Sequence, residues 1–408
     1  MSTAVNTPGG DPVRRVPDAE RRDRLVLRQA LHPANRADDA VAAARAMTVL
    51  HATEAASVHL AVAARTDGPG PDEVDRALYE DRTLVKQLAM RRTLFAFPRD
   101  LLPAALGSAA ARVAAEQRRL IARDARAHGL ASDGEAWLAA ARRAVLERLA
   151  GSEPMSAQQL REELPELAGR VVTSPGKSYG GSFPIAPRVL TLLGAEGLLV
   201  RGPNAGPWQV GRPTWTLMSS WLGEQPEPLA PADGYAELVR RWLFTFGPGT
   251  VEDVQWWLGS TKTAVREALA ALAAVPVGLD TGDVGWLLPD DLEPVERLEP
   301  AAALLPTLDP TTMGWKGRSF YLDPAHVSLL FDTNGNAGNT AWWGGRIVGT
   351  WVQDEDAVVR VVPAPGARLP RAARAALDRE ARRLTTWVDG VRVSNVYASR
   401  LMRGVPLP

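Results

Sequence analysis

The sequence predicts an α+β fold: three tandem winged-helix units followed by a small C-terminal β-barrel. Three observations carry that expectation. The chain has 408 residues, too many for one ordinary core and enough for several small modules in a row. One order of elements (helix, helix, strand, tip, strand) recurs without sequence identity between the copies, as in tandem arrays of one supersecondary unit. From about residue 300 the pattern changes to short apolar stretches separated by Gly, Asn and Asp turns.

The unit expected over 151–228 is the most regular. Ser156, with Gln159 three residues on, forms a capping box that opens the helix AQQLREEL. A polar loop holding Thr173, Ser174, Lys177, Ser178 and Tyr179 leads into APRVLTLLGAEG, whose Val189, Leu190, Leu192 and Leu193 share one side and whose Gly197 ends it. LLVRG, the tip GPNAGP and WQVGR then read as two strands around a loop. The unit at 229–296 repeats the order. YAELVRRWLFTF is amphipathic, Thr250 and Asp253 cap VEDVQWWL, Gly259 closes it, KTAVREALAALAA follows, and VPVGL, DTGD and VGWLL make a hairpin. The unit at 19–98 opens with AVAAARAMTVL behind Asp38 and Asp39. It ends in TLVKQLAMRRTLFAFP, two strands with Arg91 and Arg92 near their bend. Residues 1–18 read as a flexible leader, 99–150 as a helical linker, and 297–408 as the barrel with a closing helix, PRAARAALDREARRLTTWV. The barrel strands are expected in SFYL, VSLLF, TAWW, RIVGTWV and AVVRVV.

Composition narrows the chemistry. With no cysteine, disulfides, thiolate metal sites and cysteine nucleophiles are excluded, and the five histidines form no metal-spaced pair, so neither metal nor other cofactor is expected. No apolar run approaches the roughly 20 residues that span a bilayer, and the N-terminus lacks the apolar segment of a signal peptide. The expectation is a cytoplasmic protein without a membrane partner. The 47 basic and 47 acidic residues cancel, so any nucleic-acid surface must be a local concentration of charge. Such a concentration exists: Lys86, Arg91, Arg92, Arg99, Arg112, Arg118, Arg119 and Arg123 face only Asp100 and Glu116 within residues 86–123. Phosphate contact is one reading of it and a solvated arginine-rich helix is the other. The glycine-rich loop around Lys177 either holds a phosphate through its amides or is simply a loop.

Three blocks go beyond architecture: ALYEDRTLVKQLAMRRTLFAFP, LLPTLDPTTMGWKGRSFYL and LFDTNGNAGNTAWWGGRIVGTWVQ. They resemble the recurring blocks of the AlkZ/YcaQ-type DNA glycosylases, over essentially residues 20–405. That resemblance implies a concave surface for double-stranded DNA, adducted or not, bound by a monomer that is nucleoid-associated when on DNA. It also implies release of bulky N7- or N3-alkylated purines, with crosslink unhooking and genotoxin resistance as extensions. The family's catalytic triplet, Gln-aliphatic-Gln or Gln-aliphatic-Asp, matches His51, Ala52 and Thr53 by position, so neither polar residue is of the usual type. His51 is the candidate base, Thr53 the candidate water holder and Glu54 a reserve carboxylate; the bland reading of His51 is a helix-end residue bonded to backbone. Lys316 and Arg318 are candidate phosphate contacts, with Arg91, Arg92, Lys177 and Arg188. Trp315 either stacks on a base or belongs to the core. Without a competent triplet the same surface describes a non-catalytic winged-helix regulator or adduct sensor.

Overall fold

The computed structural model describes residues 11–68, 70–173 and 180–404. Lys177 and the rest of residues 174–179 lie outside them. Part of the expected leader is structured: β1 (Arg15–Val16) pairs in parallel with Gly278 and Leu279, and Val16 is fully buried. Helix α1 (Asp18–Arg28) follows directly.

The first sheet has the order β2-β4-β3. Helix α2 (Ala40–Ala46) is capped by Asp39, whose carboxylate accepts from the Ala42 amide at 2.7 Å. It leads to β2 (Leu50–His51), a strand too short to show in the sequence pattern. Then come α3 (Ala55–Ala63), α4 (Pro71–Asp75), β3 (Leu84–Leu88) and β4 (Leu94–Pro98). Arg91 and Arg92 occupy the β3–β4 bend in left-handed conformation, as the hairpin reading requires.

Helices α5 (Leu102–Ala105), α6 (Ala111–Ala127) and α7 (Gly134–Leu149) fill the stretch expected to be a linker. It is more than a linker, because Val113, Ile121, Leu138 and Val145 share a core with Leu160, Val189 and Leu193 of the next unit. That unit comprises β5 (Met155–Ser156), α8 (Ala157–Glu163), β6 (Arg170–Thr173), β7 (Gly181–Pro184), α9 (Ala186–Ala195), β8 (Leu199–Asn204), β9 (Pro213–Leu217) and α10 (Met218–Leu222). Its sheet order is β5-β9-β8, with β6 and β7 as a separate hairpin. The Ser156–Gln159 capping box is present. WQVGR is a turn instead of the expected strand. Asn204 organises it, donating to the Val210 carbonyl (2.7 Å) and accepting from the Arg212 amide (2.7 Å), so pairing resumes only at Pro213.

The third sheet is β1-β10-β11, from β10 (Val275–Leu279) and β11 (Val284–Leu287). It is preceded by α11 (Pro231–Phe246), α12 (Val251–Leu258) and α13 (Lys262–Ala271). Thr250 and Asp253 cap α12 reciprocally, and Gly259 ends it in left-handed conformation with φ 62°.

The C-terminal region corrects the barrel expectation. Strands β12 (Ala302–Leu305), β13 (Thr340–Trp343), β14 (Arg346–Gln353) and β15 (Val359–Pro363) pair antiparallel in linear order, an open sheet covered by α16 (Arg371–Val388). SFYL is a turn and VSLLF contributes α15 (Val327–Leu330), behind α14 (Pro310–Met313). The aromatics of SFYL serve the core: Phe320 and Tyr321 pack with Trp315 and Trp342. Helix α3 joins the parts. Buried on nearly every side, it sets Val58, Ala61 and Val62 in the main core and Ala56, Leu60 and Ala63 against Leu304, Trp351 and Leu377. The residues just before α3 therefore sit at the seam between the first sheet and the C-terminal sheet.

Candidate active site and nucleic-acid interface

His51 pairs with Phe95 across β2 and β4 and sets its ring edge-on to the Phe95 ring, centroids 5.3 Å apart. It is 5% exposed, and burial, reinforced by the Arg91 charge, pushes its pKa from 6.5 down to about 3. Its Nδ1 accepts a long hydrogen bond from the Thr53 amide at 3.5 Å, which assigns the ring proton to Nε2. The ring is therefore neutral, a weak base, and carries its free N–H as a donor. Desolvation is the cause, and it makes His51 a weaker base than an open histidine. Thr53 is exposed beside it. The Glu54 carboxylate is fully engaged: it accepts from the Thr307 hydroxyl, from the Val396 amide at 2.6 Å and from the Tyr397 amide at 3.4 Å. Thr307 is itself fixed, its amide donating to Asn339 Oδ1 at 2.9 Å. Glu54 is thus a clasp between the triplet and the C-terminal region.

Arg91 lies over the Trp256 ring of α12, its Cζ 4.1 Å from the centroid. Arg318 approaches the same ring at 5.4 Å and the Phe331 ring at 4.5 Å, with Nε donating to the Thr312 carbonyl at 3.3 Å. Burial and the Arg318 charge lower the Arg91 pKa to about 10. Among the described residues no carboxylate pairs with Arg91, and its buried Nε has no hydrogen-bond partner. Arg92 is exposed next to it, and Arg112 donates to the Gly259 carbonyl at the end of α12. A Cβ at Gly259 would stand 3.0 Å from the Arg91 amide nitrogen, so the close approach of helix and bend needs glycine there. At the other end of α12, the Lys316 and Gly317 amides donate to Asp253 Oδ1, both at 2.9 Å. The Lys316 side chain is exposed and lines a cleft of about 360 Å³ with Arg21, Glu252, Asp253 and Asp283, so that cleft carries both signs of charge. Helix α12 is the strut that gathers residues from 91 to 318: Arg91 and Arg318 meet over its Trp256, and its Asp253 holds the Lys316 amide.

Arg188 and Trp315 are not part of this group. Arg188 is ion-paired to Asp124 at 2.9 Å. Trp315 is 2% exposed and donates to the Phe246 carbonyl at 3.1 Å, a core residue with no face free for a base. The arginine-rich stretch also divides. Lys86 donates to the Tyr79 hydroxyl at 2.6 Å, while Arg99, Arg118 and Arg123 pair with Glu224, Glu196 and Asp124. Sequence reasoning misses Trp256, Phe331, Thr307 and the Val396–Tyr397 pair. Each meets the site only through the tertiary fold.

The fold and these blocks define a family. The AlkZ-like DNA glycosylase family matches residues 44–387, and the chain belongs to it. Among its relatives is an interstrand DNA cross-link repair glycosylase of Streptomyces sahachiroi, 27% identical over 187 residues. That match covers 43% of this chain and 48% of the relative, so it spans about half the relative's length. The solved structure of the Streptomyces sahachiroi DNA glycosylase AlkZ has the same fold, with a TM-score of 0.71 at 21% identity over 93% of this chain and 98% of that one. Among the described residues no helix is long and apolar enough to cross a membrane, and no group of three or more His, Asp or Glu side chains is placed to hold a metal.

Proposed function

We propose that the protein excises bulky N7- or N3-alkylated purines from double-stranded DNA as a monofunctional glycosylase. We also read its three three-stranded sheets, with their helices, as three tandem winged helices. The observation that carries the proposal is Arg91, a mostly buried cation beside the triplet whose missing counter-ion a DNA phosphate would supply. Arg92, Lys316 and Arg318 extend that contact.

Alkylation at N7 or N3 makes the purine cationic and already a good leaving group. The protein has to hold the nucleotide, stabilise positive charge on the sugar and admit a water. Neutral His51 does not oppose that charge, and the Glu54 carboxylate supplies negative potential one residue from exposed Thr53, whose hydroxyl holds the water. A histidinium at position 51 would have opposed it. Incubating the protein with duplex DNA carrying an N7-alkylguanine or N3-alkyladenine should release free base and leave alkali-labile abasic sites. Thr53→Ala should lose most of that release.

A second reading is favoured by the same geometry, since the His51 Nδ1 and both Glu54 oxygens are occupied. On it the protein is a non-catalytic DNA binder. Specific duplex affinity with no base release from any adduct, unchanged in His51→Ala and Thr53→Ala, would establish that reading in place of the first.

A further inference from the structure

After α16 the chain runs through residues 391–401 without regular secondary structure, yet it is pinned throughout. Gln353 donates to the Val391 carbonyl and accepts from the Val393 amide, both at 2.9 Å. Glu54 accepts from the Val396 and Tyr397 amides. The Leu401 amide donates to the Leu329 carbonyl at 3.0 Å, and Ser399 packs so closely on Gly338 that a Cβ there would stand 2.7 Å from its own.

The tip of this strap is unusual. Val396 is 76% exposed, the highest value among the large exposed hydrophobics described, although its own amide is held by a carboxylate. Ordering an apolar residue in water gains nothing from its own burial, so the bonds to Glu54 are what hold it out. Tyr397 beside it is half-buried, and burial with the Glu54 and Asp332 charges raises its pKa, so the hydroxyl stays protonated and the ring presents an apolar face. Glu54 is the residue after Thr53. One side chain therefore ties exposed Val396 and half-buried Tyr397 to the triplet across 342 residues of sequence.

We propose that Val396 and Tyr397 are the wedge that enters a DNA base stack and fills the space left when the modified nucleotide is drawn out toward Thr53. The proposal rests on the glycosylase reading for what is drawn out, but insertion itself needs only DNA. Proteins that work on an extrahelical base must offset lost stacking, a few kcal/mol per step, and apolar side chains inserted between bases are a common means. A tip pinned on both sides is preorganised for that role. Glu54 acts as the positioning residue for the wedge.

The test uses the full-length protein and two readouts. With 2-aminopurine placed next to the lesion in duplex DNA, binding of the wild type should raise its fluorescence, and Val396→Gly should abolish the rise. In single-turnover excision Val396→Gly should be slower on duplex by roughly tenfold to a hundredfold, the equivalent of a few kcal/mol of stacking. It should match the wild type on single-stranded DNA or opposite an abasic site, and Val396→Ile should behave as wild type. An unchanged fluorescence rise in Val396→Gly would overturn the proposal, as would equal losses on duplex and single strand. If the wild type releases no base but still raises the fluorescence through Val396, the glycosylase reading fails and the wedge stands.

Discussion

Replacing Arg91 by methionine should leave the free protein at least as stable while weakening its grip on DNA, because the charge has the Trp256 ring but no carboxylate beside it, and its proposed counter-ion is a DNA phosphate. Burial lowers the Arg91 pKa from 12.5 to about 10. At about 1.4 kcal/mol per pKa unit, the charged form carries an upper limit of roughly 3 kcal/mol of desolvation cost in the free protein. Stacking on Trp256 returns about 0.5–2 kcal/mol of this. Methionine keeps an apolar, flexible side chain against the indole and removes the charge. The left-handed backbone, φ 53°, strains both residues alike and drops out of the comparison. Thermal denaturation should therefore show an unchanged or slightly raised midpoint. Binding should move the other way. Losing one phosphate contact lowers the slope of log affinity against log salt by about 0.9. Fluorescence anisotropy with a labelled duplex across a salt series measures that slope, and Arg118→Met, which removes an arginine already paired to Glu196 at 2.7 Å, is the control with no change. A variant that melts several degrees lower and keeps the full salt slope would show that Arg91 is a structural stack on Trp256, and the argument for a phosphate there would fail.

Acid should destabilise the protein through His51. Its pKa is 6.5 unfolded and about 3 folded, so the unfolded state binds the extra proton between those values. The contribution is complete above pH 6.5 and is lost as pH falls toward 3, at up to about 1.4 kcal/mol per pH unit. Urea denaturation of wild type and His51→Leu at pH 7 and pH 4.5 should give a shallower acid loss in the variant, and parallel losses would mean that burial does not hold the ring neutral. Asp309→Ala leaves Arg65 unpaired where both side chains are 0% exposed and 2.7 Å apart, so it should cost about 3–5 kcal/mol by urea denaturation. Substrates with neutral bases, such as uracil or hypoxanthine, should survive under conditions that release N7-alkylguanine, because His51 Nδ1 and both Glu54 oxygens are already hydrogen-bonded and the Thr53 hydroxyl is too weak a base to drive water against a poor leaving group. Their rapid release would require a base that this site does not show.

What is legible in the sequence is what local chemistry controls. The Ser156 and Thr250 capping boxes act over three residues, and the Gly197 and Gly259 helix ends need only their own left-handed backbone, so short-range chemistry alone places α8, α9 and α12. The β10–β11 hairpin and the Arg91–Arg92 bend are legible for the same reason. Errors fall where tertiary packing outweighs β propensity. SFYL has the composition of a strand, but Phe320 and Tyr321 are recruited into an aromatic core with Trp315, and VSLLF is too short for periodicity to separate strand from helix. The flexible-leader expectation fails from residue 11 onward because the partner that orders β1 lies at residues 278–279. In the site, the position of the triplet before α3 is legible and its electrostatics are not, since the His51 environment depends on Phe95 and Arg91 from another strand and its bend.

The substitutions at the triplet are consistent with one another. A histidine in the open would titrate near neutrality and in acid would place a cation where the reaction develops one. Buried against Phe95 and within the field of Arg91, it cannot. On the proposed reaction, Thr53 offers less negative potential than the amide or carboxylate the resemblance implies at that position, and the adjacent Glu54, held in place by two backbone amides and a hydroxyl, would supply it. Those bonds fix the carboxylate beside Thr53. The same bonds set the position of Val396 and Tyr397. On the proposed reaction, charge stabilisation at the sugar and the shape of the protein surface beside it both depend on this one carboxylate, so Glu54→Gln should disturb both together, whereas changes at Val396 or at Thr53 should separate them.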